Sequence, residues 1–392
     1  MSAVRRSIRM GVPVLVLATS ALSLVACGSS SSGGGASAAT ECNGIGDDIK
    51  VAVIKDQTGI GAFVGTPSLE GVRLAVKTIE EQKFLGDTTI TLDVKDPASD
   101  SQTGASQVTA SAADRDTKAI LGPILSDMAT ATAPIAERAK IPIIFTQAGS
   151  EGVLAGEYTF RASPPIESYY DKTVSYLDEQ NVTKISTIYS ADNPTLTELA
   201  TATVPELASQ HGIEIGGTGT VQASTQDMSA PVSKLLESNP DAVALLVTGP
   251  QFSSAIQQLR QSGFTGKIVS YPAAGNVLPT IGQDAAGIVW STNFDHTLDT
   301  PEAQEFSDAF MTEYGKEPTN SAAESYDSTW FLARAIKAAD CDTREGIQQG
   351  LTTVAAEGFE GVEGPISFEG NDARFPGILV EWTGSEIQII GN

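Results

Sequence analysis

The sequence is poor in the residues on which enzyme and metal sites depend, with two histidines and three cysteines among its 392 residues. His211 and His296 have no partner at the spacing of a metal site or of a catalytic triad. The stretch AGSEG (148–152) differs from the nucleophile motif G-x-S-x-G in its first residue. The stretch GIGAFVG (59–65) differs from the dinucleotide-binding fingerprint because its last glycine stands one place late. We therefore predict no enzyme, no cofactor and no bound metal.

Basic residues are also scarce, with 24 Lys and Arg against 48 Asp and Glu, which gives a formal net charge of −24. A surface of this sign repels nucleic acids and anionic lipid headgroups. We therefore expect no nucleic acid among the partners and no direct attraction to lipid headgroups. The charge favours solubility and does not predict what a pocket binds.

Long apolar runs are absent except near the N-terminus, where the run 12–25 follows arginines at positions 5, 6 and 9. The run is too short for a membrane span. Its positive start, apolar core and small residues at the end are typical of a secretory signal peptide over residues 1–26. The neighbouring arginines fit the twin-arginine motif only in part, so both the general and the twin-arginine export routes stay open.

The end of this segment, Leu24-Val25-Ala26-Cys27, resembles the lipobox of bacterial lipoproteins. The resemblance implies that Cys27 carries a diacylglycerol and that a peptidase cuts just before it; the alternative is ordinary cleavage near Ala26. Residues 27–48 then comprise the lipidated cysteine and a flexible Gly/Ser linker. Two acyl chains give stable anchoring, so we predict an extracytoplasmic protein held at the cell membrane by lipid alone.

The other two cysteines are Cys42, just before the first predicted strand, and Cys341, just after a long C-terminal helical pattern. In an oxidising compartment a disulfide between them is the natural pairing. It would close a loop of nearly the whole chain and stabilise the fold by about 4–5 kcal/mol in the entropic description. Two free buried thiols are the alternative.

From Ile49 onward, short β-rich runs alternate with helical patterns. The first block predicts strands 49–54, 89–94, 118–122 and 141–145 with helices 67–82, 102–113 and 127–139. The second block predicts strands 184–189, 213–221, 241–247 and 267–271 with helices 166–180, 195–210, 228–237 and 252–262. This order is typical of parallel sheets with right-handed crossovers. We therefore predict an α/β fold of two doubly wound, Rossmann-like lobes with a cleft between them.

A strand at 287–293 and helices at 302–314, 322–339 and 343–356 complete the pattern. Three crossings between the lobes are predicted, at Pro164-Pro165, at Tyr271-Pro272 and within 364–375, where Gly and Asn interrupt the strand pattern. The first lobe would then comprise 49–163 and 272–366. The second lobe would comprise 164–271 and 367–392.

Six motifs in this order carry a resemblance to a known family. They are IKVAVIKDQTGIGAFVG, VKDPASDSQTGASQ, AILGPILSDMATATAPIAERAKIPIIF, SGFTGKIVSY, FMTEYGKEP and AAESYDSTWFLARAI. Over residues 49–392 the sequence resembles type I periplasmic binding proteins, specifically the branched-chain amino acid (Leu/Ile/Val) group of ABC-transporter substrate-binding proteins. The resemblance implies two α/β lobes joined by three hinge strands, which close on a small ligand. It also implies a monomer that delivers this ligand to the transmembrane subunits of a permease.

Ligands of open α/β sheets bind beyond the carboxyl ends of the strands. Ser126 follows the third predicted strand and is placed to cap the next helix, where free backbone N–H groups favour an anion. The resemblance implies that Ser126, Ala148 and Ser150 hold the ligand's α-carboxylate, and Gly149 leaves the backbone open there. A simple helix cap at Ser126 and a turn serine at Ser150 are the alternatives.

The side-chain pocket predicted by the resemblance includes Phe63 and Val64, for which core packing is the alternative. In the second lobe this sequence departs from the family. Leu196 stands where an aromatic residue is expected, and Pro272 stands where an acid would receive the ligand's ammonium group. Phe252 and Tyr271 still supply aromatic surface nearby.

A buried ammonium group without an acid would cost several kcal/mol. Asp192, Asp295 and Asp327 are candidates for the missing acid, each with a solvated surface acid as the alternative. The other solution is a ligand without an ammonium group, such as an amide or an aliphatic or aromatic acid. A tethered sensor that presents its closed form to a receptor is the alternative to transport.

Overall fold

The structure is a computed structural model that describes residues 42–391. The predicted signal peptide, the lipidation site Cys27 and the linker as far as residue 41 lie outside the described residues. None of the helices within 42–391 has the length and apolar character needed to cross a membrane.

Two sheets form the framework of the described chain. Its strands, in chain order, are β1 (Asp48–Ile54), β2 (Thr89–Lys95), β3 (Thr117–Leu121), β4 (Ile143–Phe145), β5 (Thr159–Arg161), β6 (Lys184–Ser190), β7 (Glu214–Val221), β8 (Ala242–Leu246), β9 (Lys267–Ser270), β10 (Ile288–Thr292), β11 (Phe359–Gly361), β12 (Gly364–Glu369), β13 (Asp372–Arg374), β14 (Ile378–Trp382) and β15 (Ile387–Gly391). The first sheet has the order β11-β12-β13-β5-β4-β3-β1-β2, and the second has the order β15-β14-β10-β9-β8-β6-β7.

Helices cover the faces of both sheets. They are, in chain order, α1 (Ala62–Glu81), α2 (Ser101–Ala113), α3 (Ser126–Ala139), α4 (Glu167–Glu179), α5 (Pro194–Glu198), α6 (Val204–Gln210), α7 (Ser229–Leu236), α8 (Gln251–Gln261), α9 (Leu278–Ile281), α10 (Pro301–Tyr314), α11 (Asn320–Ala339) and α12 (Arg344–Glu357). The single helix predicted for 195–210 is instead α5 and α6 separated by a π-helical turn, Leu199–Thr203. Pro205, at the start of α6, has no backbone N–H to donate to a continuous helix.

The strand β1, which lies between β3 and the edge strand β2, shows why the sequence forms the first sheet. Its side chains are buried on both faces, as expected for a parallel strand between two helical layers. Val51 and Val53 pack into the cluster that includes α1, α11 and α12, whereas Ala52 and Ile54 pack into the cluster on the α3 side. Successive side chains of a strand point to opposite faces of the sheet, so one continuous apolar run packs against the helices on both faces.

Helix α11 packs closely against α1. This packing places the polar first half of α11 on the cleft side of the first lobe. Gly71 allows this contact, because a Cβ at that position would collide with the carbonyl oxygen of Ala322. Residues Asn320 to Ser325 are buried although most of them are polar. Asn320, Ser321 and Glu324 of this buried polar segment line the cavity between the lobes.

The chain crosses between the lobes at three places, and two differ from the prediction. The first crossing lies between β5 and β6 and includes Pro164-Pro165. The prediction of a second crossing at Tyr271-Pro272 is wrong, because β10 pairs with β9 and β14 in the second sheet. The lobe boundary at 366/367 is also wrong, because β12 and β13 pair with each other and β13 joins β5 in the first sheet. The later crossings therefore follow β10 and β13.

A disulfide joins Cys42 to Cys341, with their Cα atoms 5.7 Å apart. It ties the segment before β1 to the segment between α11 and α12. The predicted pairing of these two cysteines is thus present in the structure.

Candidate functional site

A cavity of about 300 Å³ lies between the two lobes, at the carboxyl ends of several strands. From the first lobe it is lined by the segments after β1, β3 and β4 and by the start of α11. From the second lobe it is lined by the segments after β6, β8 and β9. This is the place where open α/β sheets bind ligands. The volume is at the lower end of the range for small-molecule sites.

Three hydroxyl groups meet next to one end of the cavity, where Ser126 and Thr195 line it and the predicted site residue Ser150 does not. Ser126 Oγ lies 2.8 Å from Thr195 Oγ1, and Ser150 Oγ lies 2.9 Å from the same atom. The backbone N–H of Ser150 also donates to Ser126 Oγ over 3.2 Å. Two of these groups belong to the first lobe and Thr195 belongs to the second, so the three hydroxyls join the lobes.

The position of Ser126 differs from the prediction in one respect. The residue before α3 is Leu125, which has an extended backbone, and Ser126 is the first residue of the helix. Its side chain therefore does not cap the helix and remains available to Thr195 and Ser150. The unpaired N–H groups of the first turn of α3 still favour an anion at this end.

A buried ion pair fixes the loop that carries the other predicted carboxylate residues. Arg161 Nη1 donates to the carbonyl oxygens of Ala148 and Ser150, at 3.2 and 2.7 Å. The same guanidinium donates to both carboxylate oxygens of Asp372, at 2.6 and 2.7 Å. Ala148 itself is packed in the core and does not line the cavity. Gly149 does line it, and a Cβ there would lie 2.9 Å from Ile166 Cγ1.

The walls of the cavity are mostly apolar and come from both lobes. Phe63 and Val64 line it from the first turn of α1, where the sequence predicted a turn before the helix. Leu196, Tyr271 and Pro272 line it from the second lobe. The phenol of Tyr271 donates to the carbonyl oxygen of Val247 over 2.9 Å, so its ring is held in place.

Phe252 does not line the cavity, although the sequence analysis included it in the site. It is fully buried in the second-lobe core and stacks on the ring of Tyr271, with centroids 6.1 Å apart. Its position follows from the amphipathic pattern of α8, which directs Phe252 inward together with Ile256 and Leu259. Its role is to support the cavity wall.

The three predicted ammonium partners are engaged elsewhere. Asp192 lines the cavity, but its carboxylate accepts the backbone N–H of Ala223 at 2.8 and 3.0 Å. Asp295 and Asp327 do not line this cavity. Asp295 accepts the N–H of Thr297 over 3.0 Å, and Asp327 accepts two N–H groups from the 362–363 segment at 3.0 and 3.1 Å. The placement of Asp295 and Asp327 in the site is therefore corrected.

The acid that the sequence analysis missed is Glu324, which lines the cavity from α11 and is 4% exposed. Asn293 Nδ2 donates to its Oε1 over 2.9 Å. Burial raises the pKa of Glu324 to about 7, while the hydrogen bond from Asn293 and the charge of Lys55 oppose the rise. Lys55 is completely buried, and burial lowers its pKa to about 7. The sequence signal for Glu324 is an acid among the small residues Ala322, Ala323 and Ser325 near the start of the helix pattern.

Thr195 was also missed, although it directly precedes Leu196, which the sequence analysis included in the site. Asn193 accepts the N–H of Leu196 over 3.1 Å and so caps α5, with Pro194 in the first turn. This start signal could have predicted a helix that begins at the cleft with a hydroxyl in its first turn. Among residues 42–391 there is no cluster of three or more His, Cys, Asp or Glu side chains suited to a metal ion.

The fold is shared with solved structures of binding proteins. The leucine-binding protein LivK from Thermotoga maritima is 22% identical, with a TM-score of 0.77 over 87% of this chain and 97% of that chain. LivJ from Streptococcus pneumoniae in complex with isoleucine is 22% identical, with a TM-score of 0.80 over 88% of this chain and all of that chain, 100%. A solute-binding protein from R. palustris in complex with benzoate is 19% identical, with a TM-score of 0.81 over 88% and 96% of the two chains. These likenesses confirm the predicted type I fold.

A family model described as periplasmic binding protein matches residues 48–380. The match covers both sheets up to β14, and so includes every residue that lines the cavity. The chain belongs to the periplasmic binding protein family.

Proposed function

We propose that this protein is the extracytoplasmic substrate-binding protein of an ABC importer, which captures a small carboxylate-bearing ligand between its lobes. The observation that carries the proposal is the cavity itself, closed by two lobes and lined by hydroxyls at one end and apolar side chains along its walls. Delivery to the transmembrane subunits of a permease and anchoring through a lipid on Cys27 complete the proposed role. We also propose that the protein acts as a monomer, as the resemblance to the family implies.

The carboxylate is assigned to the end of the cavity lined by Ser126, Gly149 and Thr195, to which Ser150 is hydrogen-bonded. Hydroxyls and free N–H groups at a helix start offer donors to an anion and complement its charge. Isoleucine and benzoate, the ligands of two structures with this fold, both carry a carboxylate. One has an aliphatic and the other an aromatic body, and the walls around Phe63, Leu196 and Tyr271 suit either.

A thermal-shift screen of amino acids, aliphatic acids, aromatic acids and matching amides tests the proposal. A true ligand at a hundred times its Kd should stabilise the protein by about 2.7 kcal/mol. Ser126→Ala should reduce the affinity for that ligand by about 1–3 kcal/mol, because a charged acceptor loses a hydrogen bond. Ser106→Ala, which removes an exposed hydroxyl on α2, is the control. A screen in which amides bind as well as acids, or in which Ser126→Ala has no effect, would contradict the carboxylate assignment.

A further inference from the structure

A second cavity, of about 560 Å³, lies next to the first and between the same two lobes. Phe63, Pro272 and Asn320 line both cavities and so form the wall between them. The hydroxyls assigned to the carboxylate do not line the second cavity. We call it the hinge cavity, because residues 294–296 of the crossing after β10 line it. Its volume is typical of small-molecule sites, and the proposed function makes no use of it.

The walls of the hinge cavity are rich in aromatic side chains, which come from the cores of both lobes. Trp290 and Trp382 line it from the core cluster of the second lobe, and both are buried. Phe294, in the crossing, and Phe310, on α10, line it from a core cluster of the first lobe. Aromatic rings pack favourably on other rings in edge or offset arrangements. These walls therefore favour an aromatic occupant that contacts both lobes at once.

Two polar side chains of the lining also indicate an occupant. Asn276 Nδ2 donates to Ser321 Oγ over 3.0 Å, but Asn276 Oδ1 is buried and has no partner among the residues that the structure describes. The same holds for Thr319 Oγ1. Both residues line the hinge cavity. Buried polar atoms are nearly always hydrogen-bonded, so these two atoms indicate an occupant that brings a hydrogen-bonding group.

The basic side chains around the hinge cavity are paired with acids, which favours an uncharged occupant. His296 Nδ1 lies 3.6 Å from Asp295 Oδ2, and this contact raises the pKa of His296. Lys316 Nζ lies 2.9 Å from Glu70 Oε2. The other charged groups of the lining are two exposed carboxylates, those of Glu317 and Glu386. An ion in the apolar interior would lose its hydration without gaining an unpaired counter-charge there.

We propose that the hinge cavity is a second binding site, which takes a small uncharged aromatic compound with a hydrogen-bonding group. The occupant contacts Trp290 and Trp382 in the second lobe, Phe310 in the first lobe and the crossing between them. Its binding therefore stabilises this arrangement of the lobes. By linkage, a ligand of the first cavity that favours the same arrangement binds more tightly when the hinge cavity is filled. This last consequence rests on the proposed function, whereas the second site itself does not.

Titration calorimetry on the full mature chain tests the site with probes that differ in charge. Benzyl alcohol and benzylammonium share one ring and differ in charge, and indole is a second uncharged probe. Both uncharged probes should bind about fivefold or more tightly than benzylammonium, because the ion loses its hydration without a counter-charge. Benzyl alcohol should also change the tryptophan fluorescence, since two of the chain's three tryptophans line the hinge cavity.

Substitutions at Gly275 locate the bound probes. A Cβ at this position would lie 3.5 Å from Trp290 Cζ2 and 3.8 Å from Ile387 Cδ1, which are ordinary contact distances. Gly275 and both of these residues line the hinge cavity, so a longer side chain at position 275 fills part of it. Gly275→Leu should weaken the binding of indole about tenfold or more, and the smaller Gly275→Ala should weaken it less. Ala356→Leu, which adds the same side chain at an exposed position of α12, is the control.

The effect on the lobes is measured separately. Small-angle scattering of the protein without a ligand in the first cavity should show a smaller mean radius of gyration with indole than without it. Indole should also tighten the binding of the best acid from the thermal-shift screen about fivefold or more. Gly275→Leu should show neither effect of indole.

The outcomes separate the second site from the function proposed for the first cavity. If neither uncharged probe binds, or if Gly275→Ala and Gly275→Leu bind indole as tightly as the wild type does, the second site is wrong and the carboxylate site stands. Tighter binding of benzylammonium would overturn the uncharged class of the occupant. Indole binding that leaves the scattering unchanged would overturn its effect on the lobes.

Discussion

Thr195 Oγ1 in the second lobe lies 2.8 Å from Ser126 Oγ in the first lobe, so a hydrogen bond joins the lobes at the polar end of the cavity. Thr195 also bonds Ser150, and the backbone N–H of Ser150 donates to Ser126. The groups assigned to the ligand's carboxylate are therefore the same groups that hold the lobes together. The proposed function therefore predicts that ligand capture and lobe closure are coupled through these hydroxyls.

The first prediction follows from this coupling. Thr195→Val keeps the size of the side chain but removes both interlobe hydrogen bonds, so it should weaken ligand binding by about 1–2 kcal/mol. Small-angle scattering should show a larger mean radius of gyration for the unliganded variant. Thr201→Val is a matched control, since the exposed hydroxyl of Thr201 donates to Thr197 within its own helical segment. Unchanged affinity and unchanged scattering for Thr195→Val would contradict the coupling.

The second prediction concerns the loop at 148–150. Arg161→Lys keeps the charge but cannot donate at once to Asp372 and to the carbonyls of Ala148 and Ser150. The free energy of unfolding should fall by about 1.5–3 kcal/mol in denaturant titrations, and ligand affinity should fall as well because the loop is less well fixed. Lys83→Ala breaks an exposed pair with Asp87 and should leave both quantities unchanged. Full affinity in Arg161→Lys would show that the ion pair does not position the loop.

The third prediction is a pH dependence of stability that Glu324 contributes. Its pKa is raised by burial from 4.5 to about 7, so the folded protein holds the proton more tightly than the unfolded chain does. The resulting stability is complete below about pH 4.5 and is lost as the pH rises through about 7. The measured quantity is the difference in unfolding free energy between the wild type and Glu324→Gln. This difference should therefore fall, as the pH rises from 5 to 8, by an amount on the order of 1–3 kcal/mol.

The comparison with Glu324→Gln isolates this group from its neighbours. Asp327 and Glu363 also have raised pKa values, and the lowered pKa of Lys55 acts in the opposite direction above about pH 7. These groups are present in both proteins, so most of their effect cancels in the difference. A difference that stays constant across this pH range would show that Glu324 is ionised equally in the folded and unfolded states.

The fourth prediction concerns the anchor proposed from the sequence. Cys27→Ser should accumulate uncleaved precursor and lose labelling by a radioactive or clickable fatty acid, because no thiol remains to receive the diacylglycerol. Cys42→Ser, which removes a thiol engaged in the disulfide, should still be labelled. A Cys27→Ser protein that matures normally and stays in the membrane fraction would refute the lipobox interpretation.

The sequence predicted those parts of the fold that depend on local patterns. The buried run of β1 and the helical spacing of Leu69, Val72 and Val76 in α1 reflect burial, which periodicity reports directly. The prediction of a lobe crossing at Tyr271-Pro272 failed. A proline indicates where a strand ends, but it does not indicate which sheet the next strand joins. That choice is made by the pairing of β10 with β9 and β14, which is a long-range contact.

The site was predictable to a similar extent. Ser126 and Phe63 could be found because strand ends point to the cleft, and both line the cavity. Glu324 could not be found from periodicity, because α11 is buried around most of its circumference and no exposed face separates its polar residues. Which buried polar residue faces the cavity depends on how α11 packs on α1 and against the second lobe.

A crystal structure of the protein with the tightest ligand from the acid screen tests the central claim most directly. We predict that the ligand lies between the lobes, with its carboxylate within hydrogen-bond distance of Ser126 Oγ and the backbone N–H groups at Gly149 and Ser150. Its body should contact Phe63, Leu196 and Tyr271. A ligand bound outside this cavity, or one whose carboxylate points away from Ser126 and the 149–150 backbone, would contradict the proposed function.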